Sequence, residues 1–157
     1  MVKQIVKGLT LLMSIVGLAL MSAVAANGQT GGVIAQVPFD FTVANKDFRA
    51  GETHVRKINN GGNALLIGSA DAKTQLVTLT NGTGPANGQE LNARLVFHRY
   101  GDKYFLSQVW MAGEMSGREL EKSKQERAIA RELRTIASNR ASNKALYEIV
   151  EVVAMVR

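Results

Sequence analysis

Two histidines and no cysteine bound the chemistry open to this chain of 157 residues. A zinc site asks for three or four His, Cys or carboxylate ligands. His54 and His98 would need Asp40 and Glu52 from neighbouring strands to reach that number. Each histidine also has a plainer reading, His98 as a strand residue satisfied by a neighbour and His54 as part of a wet face. No metal and no cofactor is expected. Paired carboxylates could hydrolyse a glycosidic bond, and Asp40, Asp102 and Glu114 lie near aromatics in the sequence. Asp102 has a structural reason to sit in a tight turn, and Asp40 falls on the polar side of its strand. No catalytic residue is therefore assigned.

Nucleophile motifs are missing. No G-x-S-x-G elbow occurs, and no serine is followed by lysine three positions on. Gly82 to Gly88 (GTGPANG) has the wrong spacing for a phosphate-cradling loop, and no helix pattern starts there. Tyr100, Tyr104 and Trp110 could stack on sugar rings if exposed. At strand spacing such rings more often pack as core or cross-strand partners, and Tyr100 is the one expected in solvent. The other candidate surface is a cationic stripe. Lys124, Arg127, Arg131 and Arg134 share one side of a helix with few acidic partners at i+4. They are candidates for contact with an anionic surface, set against the plain reading of a solvated face.

These residues need elements to hold them. Leu95 to Trp110 (LVFHRYGDKYFLSQVW) has a hairpin signal at its centre, with Gly101-Asp102 as a two-residue loop and Gly101 free to take positive φ. That turn pairs Tyr100 with Lys103, Arg99 with Tyr104, His98 with Phe105 and Phe97 with Leu106. Both faces carry apolar residues, so both are expected to be covered. Val37 to Val43 (VPFDFTV) alternates with period two, placing Val37, Phe39, Phe41 and Val43 on one side of a strand that starts at Pro38 or runs along an edge. Thr53–Ile58, ALLIGS at 64–69 and Thr74–Thr80 follow as strands, with turns at Asn59–Gly62 and Asp71–Lys73 and a longer loop at Asn81–Gly88. Ser123-Lys124-Gln125-Glu126 is a capping box, in which the glutamate reaches back to the cap. It opens a helix over about 123–138 with Ile129, Leu133 and Ile136 on the buried side, beside Ala130 and Ala137. Residues 139–143 break the pattern, and the β-branched tail ALYEIVEVVAMV reads as a closing strand.

The fold class is mainly β (α+β): an antiparallel meander, small barrel or sandwich with one C-terminal amphipathic helix and a closing strand. The N-terminus has the form of a secretory signal peptide. Lys3 and Lys7 precede an apolar run from Gly8 to Leu20, and Ala23-Val24-Ala25 supplies small residues for cleavage. The run is short for a bilayer span. The expected organisation is a signal peptide at 1–25, a flexible leader at 26–32, and one domain at 33–157 with no transmembrane segment in the mature chain. Localisation is then secreted or periplasmic, in a cysteine-free chain whose core must carry its stability without disulfides. The formal charge is +6, and two of the lysines depart with the signal peptide. The remaining positive excess suits an anionic glycan, a lipid head group or an envelope polymer, with no nucleic acid expected.

In order, the signal peptide, VPFDFTV, AGETHVRKINNGGNALLI, LVFHRYGDKYFLSQVW and GRELEKSKQER resemble the layout of a family of small uncharacterised secreted bacterial proteins. The resemblance spans most of the mature chain and implies export and a mainly β domain. It implies no activity and no functional residues. The expected function is a non-enzymatic binding or envelope-associated module. The alternative is a hydrolase acting on a cell-envelope polymer. A third reading, a secreted structural protein, would show an unpaired apolar edge strand, the tail being the first candidate.

Overall fold

Period-two patterning builds the domain, described by a computed structural model for residues 31–59, 61–84, 92–140 and 145–156. The signal peptide, most of the leader, the end of the Asn81–Gly88 loop and residues 141–144 lie outside the described residues. Within them the elements are β1 (Gly32–Val37), β2 (Phe41–Val43), β3 (Lys46–Phe48), β4 (Gly51–Lys57), β5 (Ala64–Ser69), β6 (Gln75–Thr83), β7 (Arg94–Tyr100), β8 (Lys103–Trp110), β9 (Gly117–Leu120), α1 (Lys124–Arg140) and β10 (Glu148–Val156).

Eight of the strands close into an antiparallel barrel. Its order is β1-β4-β5-β6-β9-β8-β7-β10, and β10 returns to β1. Closure leaves these strands without an open edge. The tail is therefore not an unpaired edge: β10 pairs with β7 on one side and β1 on the other. A barrel of this size has an interior that side chains fill. Val33, Ala35, Val37, Val55, Leu65, Ile67, Leu95, Phe97, Leu106, Val109 and Ala154 fill it here.

The Leu95–Trp110 hairpin forms in the expected register from Tyr100–Lys103 to Phe97–Leu106. Beyond that point Val96 faces Gln108, so Ser107 is an extra residue in β8. This bulge swaps the facing of the second half of the strand. Gly101 holds φ +61° with open space where a Cβ would sit. Gly101→Val therefore meets backbone strain and no clash. It should cost about 1–3 kcal/mol in thermal or chemical unfolding, while His98→Gln, which keeps a hydrogen-bonding group, should cost less.

The strand expected over Val37–Val43 is two strands. Pro38 has no N–H to give to a ladder. The chain leaves the barrel after Val37 and resumes at Phe41, where β2 meets β8 in a short parallel pairing and β3 in an antiparallel one. The facing nonetheless holds. Phe39 and Phe41 both turn their rings to Phe97, at 5.2 and 5.3 Å between centroids. Gly32, placed in the leader by its composition, opens β1.

Candidate functional site

The helix N-terminus is built as the capping box requires on one side only. Ser123 Oγ accepts from Glu126 N at 2.9 Å, and Asn45 Oδ1 accepts from Lys124 N at 3.1 Å. The Glu126 carboxylate does not turn back to the cap. It points into the barrel wall, where His98 Nδ1 lies 2.9 Å from Oε1 and Tyr100 donates its hydroxyl to the same oxygen at 3.3 Å. The His98 and Glu126 side chains are only 9% and 3% exposed. Tyr147, just before β10, lays its ring 4.0 Å from that of His98. Ala130, Ile129 and Leu133 complete the seat against Tyr100 and Phe105.

This seat corrects two expectations. Tyr100, expected as an exposed aromatic, is 6% exposed, because α1 covers the outer side of β7 and β8. Ile136, expected in the buried row, is 42% exposed. The buried row runs through Glu126 and Ala130, which turns the helix relative to an isoleucine-centred phase. Sequence reasoning passed over Glu126 as a seat residue. Its signal was position, since it stands one helical turn before Ile129 and Ala130.

Burial pushes the Tyr100 hydroxyl well above the ordinary tyrosine range, and the negative Glu126 beside it adds to the shift. A proton held more tightly in the folded state stabilises it below the unfolded value of about 10. That stabilisation is lost as pH rises through the folded value. Absorbance titration should therefore show one tyrosine ionising late in alkali, and Tyr100→Phe should remove that late step.

Lys124, Arg127, Arg131 and Arg134 are all exposed on α1. They occupy the side of the helix next to its buried row.

A groove of about 900 Å³ opens beside the β2–β3 hairpin. Asp40, Glu52 and Asp102 line it together with Arg49, Lys103 and Gln125. Asp40 and Glu52 thus come to one place, but His98 does not; it stands on the outer wall under α1. Four of the acids nearby have local work. Asp40 Oδ1 accepts from Ala50 N at 2.7 Å, and Glu52 Oε1 lies 2.7 Å from His54 Nε2. Asp47 Oδ1 accepts from Thr42 at 2.8 Å. The Ser69 hydroxyl and the Lys73 N–H hold the Asp71 carboxyl below the usual carboxylate range. Glu114 pairs with Lys57, at the end of β4 away from Glu52, so it is not a partner for Asp40.

Among the aromatics, Tyr104 lines the groove with one face stacked on Phe39 at 3.8 Å, and Arg99 lies 5.6 Å from its ring. Trp110 is buried, with the Arg94 guanidinium 4.5 Å from its ring. Among the described residues no group of three or more His, Asp or Glu side chains is placed to hold a metal ion. Nor is any helix among them long and apolar enough to cross a membrane.

Fold and site together define a small closed antiparallel barrel with one helix seated on its outer wall through a buried polar contact. No family model, curated protein or solved structure matches the chain.

Proposed function

We propose that this chain is an exported, non-enzymatic binding module that docks on an anionic envelope surface through the cationic side of α1. The observation that carries the reading is the exposure of Lys124, Arg127, Arg131 and Arg134 along a helix whose neighbouring side is held by the barrel. A helix clamped by Glu126 presents its charges at fixed positions. The N-terminal Lys3, Lys7, apolar run and Ala23-Val24-Ala25 support export through a cleaved signal peptide. The alternative hydrolase would have to work in the groove, where Asp40 and Glu52 are already engaged by Ala50 and His54.

The test is binding of the exported chain to an acidic polysaccharide and to vesicles containing phosphatidylglycerol. Affinity for at least one should be high at low salt and fall sharply by physiological salt, because exposed charges are screened over about 8–10 Å. Replacing Arg127, Arg131 and Arg134 together by glutamine should abolish it with the melting temperature unchanged. A triple variant that binds like the parent makes the stripe a solvated face. Release of reducing ends from envelope polysaccharide would favour the hydrolase.

A further inference from the structure

The first backbone N–H groups of a helix have no partner within it. In α1 one of them is met from a distant part of the chain. Asn45, in the tight turn between β2 and β3, accepts from Lys124 N at 3.1 Å. The next residue, Lys46, opens β3 and is tied elsewhere. Its Nζ donates to the carbonyl of Gln75, where β6 begins, at 2.8 Å. Adjacent residues at one hairpin tip thus hold the cap of α1 and the start of β6. Both partners border the groove, which Gln125 of α1 lines together with Lys73, Thr74, Asp47 and Phe48. The body of the hairpin is joined to the barrel more sparely. One residue pair, Thr42 with Phe105, links it to β8. Phe41 rests on Phe97 and stacks on Phe48. At the base Asp40 Oδ1 accepts from Ala50 N at 2.7 Å. Flanking that bond are Pro38, with no N–H to give, and Gly51 at φ +144°, a conformation that side chains resist.

We infer that the β2–β3 hairpin and α1 open as one unit, in which the hairpin tip is a strap that couples the groove to the helix. Widening the groove on the β6 side breaks the Lys46 bond and moves the tip. Asn45 moves with it, because Val43 and Lys46 pair across the turn and leave two residues between them, with no slack. α1 then loses an acceptor at its cap. Release of α1 from the Glu126 seat acts in the other direction, since it takes away the donor that Asn45 holds. A coupling between two places in a fold is reciprocal in this way, and domains open locally in contiguous cooperative units. A hairpin bonded to the barrel alone would leave the helix to open by itself. The inference goes beyond the proposed function and does not depend on it, because no anionic ligand takes part.

The experiment is native-state amide exchange on the exported chain and four variants, read at Phe41–Phe48, at 127–133 of α1, and at β4 and β5. Lys46→Met keeps the apolar stem and removes the bond to Gln75. Lys46 makes no hydrogen bond or ion pair with α1 among the described residues. Exchange in α1 should nonetheless quicken about two- to tenfold, the change that losing one hydrogen bond gives. Glu126→Ala is the reverse arm. Glu126 is bonded to His98, Tyr100 and Ser123 and not to the hairpin, yet exchange at Phe41–Phe48 should quicken too. Asn45→Ala should loosen both segments, and Asn45→Asp, which keeps the acceptor oxygen, should restore them. Protection in β4 and β5 should stay at the parent level throughout. Asn45 and Lys46 are exposed, so their variants should fold. Two results overturn the inference. If Lys46→Met quickens the hairpin alone and Glu126→Ala the helix alone, the two open independently and the tip couples nothing. If β4 and β5 lose protection by the same factor as the hairpin and α1, the domain opens as a whole and there is no separate unit.

Discussion

Replacing Glu126 by alanine should lower the unfolding free energy by about 3–5 kcal/mol, the range for removing one partner of a buried charged contact. The carboxylate receives His98 Nδ1 and the Tyr100 hydroxyl on one oxygen, out of water on both sides of the helix–barrel contact. Alanine leaves two buried polar groups without that acceptor. A domain of this size has only about 5–15 kcal/mol in all. Glu126→Gln keeps an acceptor and should cost less. Replacing Glu126 and His98 together by leucine removes donor and acceptor at once. That pair should be far less damaging than the sum of the single changes, since replacing both partners of a buried hydrogen bond by apolar groups can be nearly neutral. Urea unfolding of the parent, Glu126→Leu, His98→Leu and the double variant measures the coupling directly. The damage should also be local. Amides of α1 should exchange faster in Glu126→Ala while those of β4 and β5 keep their protection. Because the helix carries Arg127, Arg131 and Arg134, the same variant should lose affinity for anionic surfaces although none of those arginines has changed. Additive single effects, or an alanine cost no larger than that of an exposed side chain, would mean that the helix is held by Ala130, Ile129 and Leu133 alone.

That seat marks how far the sequence could be followed. The hairpin was legible because a Gly-Asp turn leaves one pairing open to both strands. The bulge at Ser107 was not, because β7 and β8 are apolar on both faces, so a change of facing leaves no trace in the pattern. β3 and β9 are three and four residues long and partly charged, too short for a period to register. β1 was hidden by its neighbours, a glycine-rich leader before it and Pro38 after it. The cationic stripe could be placed from a 3.6-residue period alone, since exposure of four charged residues asks nothing of the rest of the fold. Tyr100 is the opposite case. Its burial depends on where the helix lies, and the helix lies there because Glu126, which the capping box assigns to the helix cap, is the residue that anchors it. The groove is a tertiary feature in the same sense. Asp40 and Glu52 meet only because the chain leaves the barrel at Pro38 and returns at Gly51.

Phe97→Ala tests that departure and should cost about 3–5 kcal/mol, the range for emptying a buried aromatic site. Phe97 is fully buried at the point where the barrel core meets the excursion. Phe39 and Phe41 approach it edge-on, at 87° and 75° between ring planes. Phe39 in turn stacks on Tyr104, and Phe41 stacks on Phe48 at 5.3 Å. Phe41, Phe48 and Tyr104 are walls of the groove. Removing the central ring therefore takes away the surface against which the β2–β3 hairpin is set. Leucine keeps most of the apolar volume and should cost clearly less. Denaturant unfolding gives the size of the loss, and hydrogen exchange gives its place. Protection should fall first at Phe41–Phe48 and only later at β4 and β5, whose partners lie in the barrel itself. The cavity left by alanine is lined by carbon, and such cavities stay dry and accept small apolar molecules. Benzene should then raise the melting temperature of Phe97→Ala and leave that of the parent unchanged. If the loss is small, or protection falls equally in every strand, the hairpin is held by its contacts with β8 and by the Lys46 bond to the Gln75 carbonyl, and the groove walls do not depend on the barrel core.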